Sequence, residues 1–271
     1  IQRLIRALRN STLSLSLPKQ AAVVQFHEDG HDLLIRFIEP EHIVVVDSTR
    51  LNFWILIRCM FLRRFSLIGY AQTVIEIVQP QVVITFIDND PSFYTLKSKI
   101  AGPSYIAVQN GMKHNYSYAH KNGLIDRFLE AGSNDVLSAD LICTFGNSYS
   151  RFFGKYVDSE ALVTGNLRNN DLVISSPNNS DFDIVFMSQH APFDVSTSSE
   201  VVYLNDSSIS IQDFYKIESD VAKFLAQYCQ DRSLKFAVSG KRGPEDSFES
   251  IFYTKAIGGL PYTFLPRLIE L

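Results

Sequence analysis

Cysteine is scarce in this chain, and what there is carries no metal or disulfide pattern. Cys59, Cys143 and Cys229 stand far apart in apolar stretches, with no C-x-x-C pair and no metal-ligand spacing. They read as reduced core thiols, which fits a cytosolic compartment. Long hydrophobic runs are missing too. The most apolar segment, Leu51 to Leu62, is interrupted by Arg58 and closed by Arg63 and Arg64. A bilayer span needs about 20 largely apolar residues, so this segment reads as a buried or interfacial helix.

Positive charge is not in excess: the formal net charge is −4, which leaves no general footprint for nucleic acid. A phosphate-bearing small molecule stays open, since a few local cations suffice for it. No secretory leader is visible either. The chain starts at Ile1 without a charged n-region, an apolar h-region and a cleavage site, and reads as a trimmed protein rather than a processed secretory one. G-x-S-x-G, H-E-x-x-H, the Walker A loop and a G-x-G-x-x-G after the first strand are all absent. Hydrolase, metalloprotease and dinucleotide-dependent dehydrogenase chemistries therefore have no residues to stand on.

What is present is an alternation of short β-branched runs and helical patterns, which predicts βαβ units and a parallel sheet. With 271 residues, 46% of them hydrophobic, the chain can bury a sizeable core. The predicted strands are Ala21–Phe26, His42–Asp47, Val82–Asp88, Tyr105–Gln109, Leu141–Phe145, Ala161–Thr164, Asp183–Ser188 and Lys235–Ser239. Leu67 to Val78 is predicted helical and ends before Pro80. Phe214, Ile217, Val221, Phe224, Leu225 and Tyr228 fall at helical spacing and form one apolar stripe. A polar stretch, Ser175–Asp183, reads as a linker, giving lobes at 1–174 and 183–271 joined by 175–182. The second lobe has few strands and looks incomplete for a Rossmann-like unit.

Ligands of open α/β sheets bind beyond the carboxyl ends of the strands, so polar residues there are the site candidates. In VVITFIDNDPSFY a strand runs into Asp88, Asn89 and Asp90, with Asp90-Pro91 also shaped as a helix cap and first helical residue. The next strand ends in Gln109-Asn110-Gly111, and His114 and His120 follow in a polar, weakly basic loop. Two further strands end at glycine, in Phe145-Gly146 and Thr164-Gly165-Asn166, where the backbone can turn tightly or approach a ligand. After the linker a strand meets Ser188, Gln189, His190 and Asp194. His190 reads as a structural or a catalytic residue, and Asp194 as a nucleophile, base or polar ligand. The last predicted strand ends in Ser239-Gly240-Lys241-Arg242, either a phosphate or carboxylate site or a solvated basic turn.

The runs QPQVVITFIDNDPSFY, IAVQNGMK, ADLICTFG and VTGNLRNN resemble the N-terminal lobe of bacterial surface-carbohydrate biosynthesis proteins, a group that includes the retaining β-Kdo glycosyltransferases. The likeness covers about residues 20 to 200. It implies two Rossmann-like lobes of the GT-B type and transfer of Kdo from CMP-Kdo to a glycan acceptor of lipopolysaccharide O-antigen or capsule. It implies an aspartate nucleophile, carried onto Asp194 with Asp88 as rival, and donor contacts from Lys241 and Arg242. Neither a metal nor a cofactor is expected beyond the nucleotide sugar. A sugar-nucleotide epimerase and a non-catalytic assembly subunit are the alternatives. The implied location is cytoplasmic, open to peripheral association with the inner face of the inner membrane.

Overall fold

The computed structural model describes residues 11–111, 116–117, 123–167, 181–188, 201–204, 207–241 and 247–265. It divides into two compact units. One comprises Ile1–His114 and Leu124–Asn170, the other Asn115–Gly123 and Asp171–Leu271.

The elements of the first stretch are β1 (Thr12–Ser14), β2 (Val23–Phe26), α1 (His31–Leu34), a 3-10 turn at Pro40–His42, β3 (Ile43–Val46), β4 (Arg50–Asn52), α2 (Phe53–Phe61) and α3 (Leu67–Val78). Next come β5 (Val82–Thr85), α4 (Pro91–Tyr94), α5 (Leu96–Lys99), β6 (Ser104–Val108) and the short β7 (Tyr116–Ser117), which belongs to the second unit. The first unit closes with α6 (Leu124–Asn134), β8 (Ser138–Thr144), α7 (Asn147–Phe153) and β9 (Asp158–Val163). Its sheet has six parallel strands in the order β3-β2-β5-β6-β8-β9.

β2 is buried at every position because both faces of the sheet are covered. Alternation along the strand splits its side chains between two layers. Val24 and Phe26 join Val83, Phe93 and Ile142 in the larger core. Val23 joins Leu33, Ile84 and Phe86 in the other. The helices start where the sequence supplies an acceptor. Asn52 caps α2 by accepting from the backbone N–H of Trp54 and Ile55, and Ser66 caps α3 by accepting from Gly69 N–H. α3 stops at Gln79, which takes a left-handed φ of 50° ahead of Pro80.

The second unit holds β10 (Ile184–Met187), β11 (Val201–Leu204), β12 (Ser207–Ser210), α8 (Ile211–Asp231), β13 (Phe236–Ser239), α9 (Ser247–Ile257) and β14 (Thr263–Leu265). β10, β13 and β14 make a parallel sheet in that order, and β12-β11-β7 a small antiparallel one. The fold is thus mixed α/β with parallel sheets, Rossmann-like in its strand–helix alternation. Among the described residues no helix is long and apolar enough to cross a membrane.

Each predicted strand has a counterpart, and the helix at Leu67 to Val78 stands as expected. The apolar stripe of α8 is different. The helix buries Ile211, Tyr215, Ala222, Ala226 and Cys229, while Ile217 is 57% and Phe224 65% exposed. The sheet takes the neighbouring face because Ala222 and Ala226 let the helix backbone come close, which bulky Phe224 does not allow. Cys59 and Cys229 are buried and Cys143 is half-buried; burial raises the pKa of all three thiols.

Candidate functional site

In the first unit the chain moves from β2 outward to β3, returns past β2 to β5, and then runs the other way to β6. The strand order therefore reverses between β2 and β5. At such a point the loops leaving two adjacent strands diverge to opposite faces and open a crevice at their carboxyl ends.

His27 follows β2 directly, and Asp90 lies five residues beyond Thr85, the last residue of β5. His27 Nε2 is 3.3 Å from Asp90 Oδ2, and the two side chains are 20% and 23% exposed. The pair is held from several sides. His27 has φ 70°, a left-handed conformation that costs a non-glycine residue roughly 1 kcal/mol or more. Its N–H donates to Val46 O at 2.9 Å, and its ring meets Phe26 edge-on with 4.5 Å between centroids. Asp90 is the cap of α4, accepting from Ser92 N–H at 3.0 Å and from Ser92 Oγ at 2.5 Å. Burial pushes the Asp90 carboxyl up, but the bonds from His27 and Ser92 outweigh it and hold the pKa below the ordinary value. Asp47 behaves alike: burial raises its pKa, and bonds from Thr49 with the charge of His27 bring it below the usual range.

The β2–α1 loop that presents His27 is clamped by Gln25, which is fully buried. Gln25 Nε2 donates to Asp29 O at 2.9 Å, and its Oε1 accepts from His31 Nδ1 at 2.8 Å. Gly30 closes the loop with φ 76°, and a Cβ there would sit 2.2 Å from Cγ of Phe86. Only glycine permits that approach of the loop to the residue after β5.

The other first-unit candidates are spread along the same edge. Asp88 is wholly buried; its Oδ1 lies 3.4 Å from Asn110 N, and its backbone oxygen accepts from Tyr94 Oη at 2.9 Å. Gln109 is buried as a cross-link, accepting from Phe145 N–H and donating to Gly111 O, both at 2.8 Å. Asn89 and Asn166 are half-buried and Asn110 is exposed. Gly165 has φ 71° and open space where a Cβ would go.

In the second unit the turn after β13 is built on a carboxylate. Glu249 of α9 is 1% exposed, and its Oε1 accepts from Lys241 N–H at 2.8 Å. A Cβ on Gly240 would lie 2.9 Å from Glu249 Oε2 and equally close to Phe264 Cζ. Ser239 and Gly240 are thus packed over a carboxylate, and this backbone N–H is already engaged. That N–H is therefore not open to an anion. Nearby, Tyr253 Oη donates to Glu218 Oε1 at 2.5 Å and meets Ser188 Oγ at 3.0 Å. Burial, reinforced by Glu218, drives the Tyr253 hydroxyl pKa far upward.

His114, His120, Gln189, His190, Asp194 and Arg242 lie outside the described residues. Sequence reasoning missed His27, Glu218, Glu249 and Tyr253. His27 alone had a usable signal, as a histidine at the carboxyl end of a buried strand. An open depression of about 700 Å³, lined in part by Asp135, Lys155 and Asp158, lies at the amino ends of β8 and β9, the edge opposite to the one where such sheets bind ligands. Glu39, Glu41 and His42 could bring three ligand atoms within 4.8 Å of one another, but all three residues are exposed.

A family model described as "putative O-antigen biosynthesis protein" matches residues 106–270, more than half of the chain. No curated protein matches it.

Proposed function

Because the chain belongs to this O-antigen biosynthesis family, we propose that it is a glycosyltransferase that passes an activated sugar to a glycan acceptor during surface-polysaccharide synthesis. The observation that carries the reading is the His27–Asp90 pair at the point where the strand order reverses. Sugar transfer needs a group that takes the proton of the acceptor hydroxyl as its oxygen attacks the anomeric carbon. A carboxylate can only accept, so in the neutral ring the bond to Asp90 puts the proton on His27 Nε2 and leaves the lone pair on Nδ1. Nδ1 takes the acceptor proton, and Asp90 stabilises the imidazolium that results.

In this reading the two units are the lobes of a GT-B enzyme, the first serving the acceptor and the second the donor. The donor is CMP-Kdo. Asp194 attacks the anomeric carbon, CMP leaves, and the acceptor oxygen then displaces the Asp194 carboxylate with net retention. The burial of Asp88 favours Asp194 for that role. Lys241 and Arg242 meet the donor's phosphate or carboxylate through their side chains. The test is to incubate the purified chain with CMP-Kdo or UDP-sugars, with and without a bacterial glycan acceptor, and to follow CMP release and product mass. Acceptor-dependent CMP release is expected. Alteration of a nucleotide sugar without acceptor would make the protein an epimerase, and no turnover of any donor would overturn the reading.

A further inference from the structure

Among the described residues, the first unit carries a surface of exposed large apolar side chains. β1 runs parallel to β4, and the segment after it is tied to α2. Trp54 Nε1 donates to Leu15 O at 2.9 Å, and Asn52 Nδ2 donates to Ser16 O at 2.7 Å. Leu15, Leu17, Trp54, Met60, Phe61 and Phe65 are exposed there, Leu17 to 71% and Phe61 to 84%. Along α2, Trp54, Arg58 and Phe61 recur at i, i+4 and i+7 on the outer side, while Ile55 and Cys59 face the core. Soluble proteins rarely leave so many large apolar side chains together, and those that do use them for contact.

The stretch of chain that carries most of them has charge of one sign. From Ser48 to Ile75 the chain has Arg50, Arg58, Arg63 and Arg64 and no Asp or Glu, and its first acidic residue is Glu28. Arg50 pairs with Glu28 and Arg64 with Glu76. Lys19, Arg58 and Arg63 are exposed and, among the described residues, form no close ion pair, Arg58 acting on Glu76 only at longer range. This stands out in a chain of net charge −4.

The structure assigns this surface to contact with an anionic phospholipid bilayer, an inference independent of the proposed chemistry. A tryptophan and a phenylalanine beside guanidinium groups suit the headgroup layer, where rings enter the acyl boundary and cations meet lipid phosphate. A second copy fits poorly, because a two-fold contact would set this basic surface against itself, with Glu28 and Glu76 already paired to Arg50 and Arg64.

Trp54 is the sole tryptophan, so the full chain reports its own docking. Mixed with phosphatidylcholine vesicles containing phosphatidylglycerol, it should show a blue-shifted emission that brominated acyl chains quench. Vesicles of phosphatidylcholine alone should give little of either. Arg58→Gln with Arg63→Gln should lower the partition coefficient about thirtyfold, roughly fivefold for each charge. Phe61→Ser should lower it too, and unchanged circular dichroism would separate lost docking from lost fold. Absence of the shift on anionic vesicles, equal partition into neutral ones, or folded variants that bind like wild type would each overturn the assignment.

Discussion

The imidazole of His27 and the carboxylate of Asp90 meet at 3.3 Å although 63 residues separate them in the chain. The sheet makes the contact, since β2 and β5 are hydrogen-bonded neighbours in register from Val23 opposite Val82 to Phe26 opposite Thr85. Side chains that leave two such strand ends share one small volume, and what they do together differs from what either does alone.

If His27 takes the acceptor proton, His27→Ala should lower kcat by about 100-fold to 10,000-fold, the usual contribution of a positioned base. Donor binding should change little. The measurement is steady-state kinetics with CMP-Kdo and acceptor, and an activity within threefold of wild type would remove His27 from the mechanism.

The left-handed backbone at His27 sets up a separate comparison. His27→Gly and His27→Ala both lose the imidazole, yet glycine adopts a φ of 70° without steric cost. The glycine variant should be more stable than the alanine variant by roughly 1 kcal/mol, read from urea unfolding. Equal stabilities would mean the conformation carries no strain.

Asp90 ties the site to acid stability. Its folded pKa lies below the ordinary value of 3.8, so the stabilisation is present above that value and is lost as pH falls through the folded one. Unfolding free energy measured from pH 6 downward should fall less steeply below pH 4 in Asp90→Asn than in wild type. Parallel acid limbs would show that the carboxylate gains nothing from His27 and Ser92.

Gly30→Ala should be among the costliest single-methyl additions in the first unit. The new Cβ meets the Phe86 ring at 2.2 Å and takes a φ of 76°, and overpacking with a left-handed backbone together cost on the order of 2–4 kcal/mol. Pairing it with Phe86→Ala should recover part of the loss relative to the sum of the single variants. Additive losses would place the strain elsewhere.

Much of the fold was legible because most strands of the six-stranded sheet are local apolar runs with β-branched residues, and such runs carry their own signal. Val82–Thr85 and the polar residues after it are an example. His27 was not legible. One histidine after a strand looks like any other until the strand order places it beside β5, and that order is set by packing between distant segments. The stripe of α8 held only in part, with Leu225 and Tyr228 against the core, for a related reason. Hydrophobicity marks Ile217 and Phe224, whereas the buried face is chosen by Ala222, Ala226 and the buried Glu218. Glu249 was invisible because its role depends on the Gly240–Lys241 turn eight residues before it.

The second unit draws one of its strands, β7, from the Asn115–Gly123 excursion, and β7 pairs with β11 through Tyr116–Leu204 and Ser117–Tyr203. During synthesis β7 therefore leaves the ribosome long before its partner exists. The small antiparallel sheet must wait for the remainder of the first unit to be made, with its edge exposed meanwhile. A cut at Asn170 would likewise release the second unit without β7, leaving the β11 edge that β7 covers unpaired in the fragment that begins at Asp171.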